Sequence, residues 1–192
     1  MRKNECTRRF LTGWIVLMLT ATMAWAVGPQ LTDQPTDDQI QAFCTYWTES
    51  LRDAQSAEGA TDAANKLIQA FGLQTDSKYT FAKIASQDLV NLLTDLADMD
   101  ETDPLLNVKT VNAARAIAKM PQVATQNALE KLIVDERPVV RLYGWAGYKG
   151  IRLLLLNQGG DALETFKSSV KTRLAEETNP VALKMVLEAI DL

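Results

Sequence analysis

Apolar positions along this chain recur mostly at three- and four-residue intervals, the spacing that lines up one face of an α-helix. Ile40, Phe43, Cys44, Trp47 and Leu51 form the first stripe. Thr36 precedes it and Gln39 follows three residues on, the arrangement of a capping box. Ala64, Leu67, Ile68 and Phe71 form a second stripe, with Gly72 as the expected stop. Residues 73–86 fit two periods: Tyr79 and Phe81 alternate as on a strand, whereas Phe81, Ile84 and Ala85 suit a helix. A short helix is expected there, because a lone strand would have no partner elsewhere in the chain. Leu89, Leu92, Leu93 and Leu96 mark a clearer helix, broken by the acidic run at 98–103 and by Pro104.

The second half repeats itself weakly. Segments 107–118, 138–149 and 179–190 each open like a helix start and continue as an apolar stripe behind an earlier helix. Pro138 and Pro180 suit a first helical turn, where the missing N–H costs nothing. The helix beyond Pro138 is expected to reach Leu156 and to end at 157–160, and Leu163, Phe166, Val170 and Leu174 give a further stripe. Val108, Val140 and Ala182 are equivalent markers separated by 32 and 42 residues, close to the roughly 34–47 of paired-helix repeats.

Leu129, Leu132 and Ile133, then Asp135, then Pro138, Val139, Val140 and Arg141, then Trp145 and Ala146 resemble a HEAT repeat. That family has an apolar helix, an Asp-containing turn, and Pro-x-Val-Arg opening an alanine-rich second helix. Residues 88–120 and 161–192 look like weaker copies, the first without the turn proline and the last with Leu183 where the family has Arg. The resemblance implies an all-α fold of stacked antiparallel helix pairs, a short HEAT-like α-solenoid. Three pairs are expected over 87–192, behind an N-terminal helical cap at 36–86. It also implies that Asp135 and Arg141 tie neighbouring repeats. This architecture serves many unrelated binding roles, so it says little about function.

Residues 1–26 read as a cleaved signal peptide. Arg2, Lys3, Arg8 and Arg9 form a basic start, 10–23 is apolar and uncharged, and Ala24 and Ala26 fit small-x-small cleavage. The expected product is exported, periplasmic or extracellular, with a flexible leader at 27–35 and no membrane insertion after cleavage. Cys6 leaves with the signal. Cys44 then stands alone on an apolar stripe and is expected to be buried as a small hydrophobe.

Charge and chemistry narrow the function. The chain has 20 basic and 24 acidic residues, a net charge of −4. The signal holds four basic residues against Glu5 alone, so the remainder carries −7. Such a surface disfavours nonspecific binding to nucleic acid. Histidine is absent, which removes the commonest general base and metal ligand. No P-loop, dinucleotide fingerprint or calcium-loop spacing is present. No catalytic residue, cofactor or metal site is therefore expected.

The expected function is a non-enzymatic protein-binding scaffold of the bacterial envelope. Arg115 and Lys119 share one helix face, as do Lys149 and Arg152 on the next second helix. If second helices form the binding surface, these four make a basic row for an anionic segment of a protein or peptide partner, with Asn112, Lys184 and Glu188 extending it. The alternatives are a cell-wall carbohydrate-binding domain using Trp47, Tyr143 or Trp145, and an enzyme using carboxylates across a cleft. The glycine-rich aromatic stretch at 143–150 is expected to serve close helix packing. An apolar last helix makes self-association through the C-terminal end a further expectation.

Overall fold

The computed structural model describes residues 28–99 and 102–190, so the predicted signal segment lies outside the described residues. Among the described residues all regular structure is helical, with no strand. Eight α-helices pack against one another: α1 (Asp37–Arg52), α2 (Ala57–Leu73), α3 (Lys78–Ala97), α4 (Leu106–Ala118), α5 (Gln126–Ile133), α6 (Pro138–Gln158), α7 (Gly160–Glu176) and α8 (Pro180–Ile190). A single 3₁₀ turn, Val123–Thr125, leads into α5. The described residues from 31 to 190 form one unit. Residues 28–30, which belong to a separate unit, have no regular structure.

Local chemistry sets the helix ends. Thr36 and Gln39 make the full capping box that starts α1, with each side chain bonded to the other's backbone N–H. Ser56 caps α2 through Gly59 N–H. Asn179 caps α8 by accepting from Val181 and Ala182 N–H. Helix α2 runs one residue past Gly72 and ends at Leu73, with Gln74 buried and bonded back to the Ala70 carbonyl. The amide tail of Gln74 satisfies a terminal carbonyl that a glycine stop would otherwise have served. Gly159 and Gly160 have φ of 64° and 62°, a left-handed backbone that ends α6 and turns the chain into α7.

Two expectations are revised. Residues 78–97 form one uninterrupted helix of 20 residues, not a short helix followed by a second one. Phe81, Ala85, Leu89, Leu92 and Leu96 are all buried along it, so a single apolar face runs through the stretch whose local pattern was ambiguous. The expected boundary at 86/87 falls inside α3. In the leader, Pro35 is buried and Leu31 packs on the core.

The packing follows the chain in alternation. α1 packs on α2 and on α3, α3 on α4, and α5 on α6. α2 packs on α4, α4 on α6, and α6 on α8. One apolar core runs from Ile40 to Ala189. At its N-terminal end the Phe81 ring lies 6.1 Å from Phe43 and 6.3 Å from Phe71. Cys44 is fully buried beside them, and burial followed by the nearby Asp88 charge holds its thiol well above the usual range. α7 is the loosest element: only Phe166 and Val170 are buried, and Leu174, expected on the same stripe, is exposed. On α8, Val186 and Ala189 are buried whereas Leu187 and Ile190 stay exposed.

The glycines at 144 and 147 place α6. A Cβ on Gly144 would meet Ile133 Cγ2 at 2.7 Å and Leu132 Cβ at 2.9 Å on α5. One on Gly147 would collide with Leu129 and come within 3.3 Å of the Ala118 Cα on α4. Trp145 and Tyr148 beside them are fully buried. The aromatic stretch is therefore core, as expected, and Trp145 has no surface to offer a sugar. Replacing Gly144 or Gly147 by alanine should overpack these contacts and cost about 1–3 kcal/mol. Gly72→Ala, with open space around its Cβ, should instead stabilise by up to about 1 kcal/mol. Urea denaturation of the three variants checks this, and a neutral Gly147→Ala would contradict the close approach.

Candidate functional site

Three turns share one chemistry. Asp103, Asp135 and Glu177 each stand three residues before the first residue of α4, α6 and α8. Each accepts a hydrogen bond from the backbone N–H two residues on: from Leu105 at 2.8 Å, Arg137 at 2.9 Å and Asn179 at 2.9 Å. Such side-chain turns hold the chain at the mouth of a helix.

Cations then connect the turns. Lys109 bonds Asp103 at 2.9 Å. Arg137 grips Asp135 with two bonds and donates to Thr110 on α4. Arg141 donates to the carbonyls of Asp135 and Glu136 and forks onto Glu177 of the next turn at 2.7 and 2.9 Å. The Arg141 bond, with its charge, holds the Glu177 carboxyl below its ordinary range despite shielding from water. At Asp135 burial pushes the carboxyl up, but the bonds and charges of Arg137, with the charge of Arg141, outweigh it and leave it lowered.

The four cations expected to form a basic row are not left together as one free row. Arg115 on α4 reaches back to Asn65 of α2 at 2.9 Å and to Asn112 at 3.0 Å. Lys149 and Arg152 on α6 reach forward to Glu188 of α8, the first to its carboxylate at 2.8 Å and the second to its carbonyl at 3.0 Å. Three of the four thus bridge neighbouring helices, from α4 back to α2 and from α6 forward to α8. Lys119 is exposed at the end of α4. Asn112 is buried and bonded within α4 and to Thr61, while Lys184 shares Glu188 with Lys149.

A groove opens instead between α3 and the 3₁₀ turn with α5. α3 has 20 residues, about 30 Å of rise. The 3₁₀ turn and α5 that lie against it have 3 and 8 residues, together about 18 Å. The shorter partner leaves part of α3 uncovered. The resulting cavity holds about 370 Å³. Tyr79, Lys83 and Gln87 recur every four residues on α3 and form one wall. Asn127 and Lys131 form the facing wall on α5. Ile84, Val90, Val123, Ala124 and Ala128 supply apolar lining.

Polar groups finish the groove. Gln126 is buried and donates to the Ala162 carbonyl of α7 at 2.8 Å. Asp88 receives Gln41 and Thr45 of α1 on one oxygen, each at 3.2 Å. Burial raises its carboxyl above the ordinary value despite those two bonds. Sequence reasoning did not single out these residues. The available signal was length: the α5 stripe holds only Leu129, Leu132 and Ile133, too few to cover the helix facing it.

No family model, curated protein or solved structure matches the chain.

The Arg141–Glu177 fork yields a pH prediction. Glu177 has a lowered folded pKa, so the stability it adds is fully present above about pH 4.5, the ordinary value. It is lost as pH falls through the lower folded value. Arg141→Met should cost about 2 kcal/mol at pH 7 and flatten this acid limb. Chemical denaturation at pH 7, 5 and 3 measures both effects. An acid limb of unchanged steepness in Arg141→Met would contradict the assignment.

Proposed function

We propose that the chain is an exported, non-enzymatic binding scaffold, a HEAT-like solenoid of four helix pairs that holds a segment of a partner protein. The succession α2, α4, α6, α8, each packed on the next, supports the solenoid reading. The three turn acids, at equal distance from their helices, support it again. The first two helices join this order as a pair, although they lack the turn acid and were expected only as a cap.

The single observation that carries the binding reading is the groove between α3 and α5. Stacked helix pairs normally cover one another's flanks, and here the chain leaves about 370 Å³ open by shortening one helix. In this reading the binding surface lies along α3 and α5. On the second helices Arg115, Lys149 and Arg152 are engaged by neighbouring helices, so charge reversal there would disturb the fold as well as any partner.

The reading is tested by site-directed photocrosslinking in the native envelope. A benzophenone side chain at Tyr79, which lines the groove, should crosslink a discrete protein. The same group at Leu73, highly exposed outside the groove lining, should not. Equal labelling from both positions, or none from Tyr79, would refute it.

A further inference from the structure

We infer that the groove selects an extended, acidic segment with an apolar residue between its carboxylates. The inference rests on the groove being the binding site, and it adds the chemistry of the ligand. Four observations carry it: shape, wall chemistry, lining and charge.

The cavity is elongated. Its α3 wall runs from Tyr79 to Val90, eleven residues of helical rise or about 16 Å. That length matches about five residues of extended chain at roughly 3.3 Å each. An extended segment brings unpaired N–H and C=O groups on both edges, and these need partners once water is excluded. The walls offer such partners in Gln87 and Asn127, whose amides both donate and accept. Gln87 already bonds Asn91 and has capacity left for a second contact. Amide walls hold main chain and carry little sequence preference.

Selection comes from the lining and the lysines. Ile84, Val123 and Ala124 are partly buried apolar residues, a floor for one apolar side chain of the ligand. Lys83 and Lys131, one on each wall, are both exposed. Unlike Lys109 and Lys149, neither takes part in an ion pair among the described residues. A carboxylate on either side of the apolar residue meets these cations across the groove. Asp88 faces the same space and opposes a carboxylate at its end, so the acidic side chains belong toward the lysines. At its own end of the groove the Asp88 carboxylate accepts a backbone N–H of the segment. The net charge of the chain, −4, disfavours long polyanions, which leaves a short acidic stretch as the matching ligand.

The test is a displayed library of random nine-residue peptides selected on the whole chain and, in parallel, on two variants. Lys83→Glu/Lys131→Glu reverses both cations at exposed positions. Asn127→Trp blocks the groove from an exposed position. Circular dichroism establishes that both variants fold as the parent does. The expected result is enrichment of net-negative peptides carrying an apolar residue, reduced at least about tenfold by the double reversal and by Asn127→Trp. Peptides without charge preference, lost on Asn127→Trp but kept on the double reversal, would overturn the ligand class and leave the groove as a binding site. Peptides kept on Asn127→Trp, or no enrichment on the parent chain, would overturn the groove itself.

Discussion

The structure depends on how closely α6 can approach its neighbours. It meets α4, α5, α7 and α8, and side chains at every position of its inner faces would not fit. Gly147 resolves this by letting the helix sit against the Ala118 backbone, and Gly144 does the same against Leu132 and Ile133. Glycine inside a helix costs roughly 1 kcal/mol relative to alanine. Burial of Trp145 and Tyr148 on the same helix, each worth a few kcal/mol, outweighs that cost. The Tyr148 ring lies 5.1 Å from that of Phe166, one of the two buried residues of α7, and is tilted to it by 36°. Its hydroxyl donates to Glu130, which also takes the Ser169 hydroxyl at 2.7 Å. Burial first, then this carboxylate, keeps the phenol protonated far above its usual range. One residue of α6 thus joins α5 and α7.

The helix mouths hold a second level of order. Asp103, Asp135 and Glu177 shape three turns in one way, while Arg137 and Arg141 reach from one turn to adjacent elements. An arginine fork onto a carboxylate fixes direction as well as distance. The glycine contacts set how closely the helices approach, and the Arg141–Glu177 fork ties the turn before α6 to the turn before α8. The groove follows from the same arrangement. With α5 held short between its turn and its 3₁₀ start, part of α3 has no neighbour, and the polar residues there face a space in place of solvent-free packing.

Much of the helix pattern was legible because it rests on local rules. The Thr36–Gln39 capping box, the Pro138 and Pro180 starts and the stripe of α1 all appear as read. Other features depended on partners that a one-dimensional pattern does not display. Residues 78–86 look ambiguous until Phe81 meets Phe43 and Phe71 and the helix becomes continuous. Leu174 reads as core, but α7 buries only two residues and leaves it outside. Spacing puts Arg115 with Lys119 on one helix face and Lys149 with Arg152 on another. It does not reveal that Asn65 and Glu188 stand on the neighbouring helices to receive Arg115, Lys149 and Arg152. The groove was hidden for the same reason: it is made by a difference in length between two helices far apart in sequence.

The most direct measurement is a nuclear Overhauser experiment on labelled protein, observing the Gly147 α-protons against the protons of Ala118. Backbone contact between α6 and α4 predicts strong cross-peaks between them. Their absence, with helical signals intact, would contradict the close packing of α6 on α4.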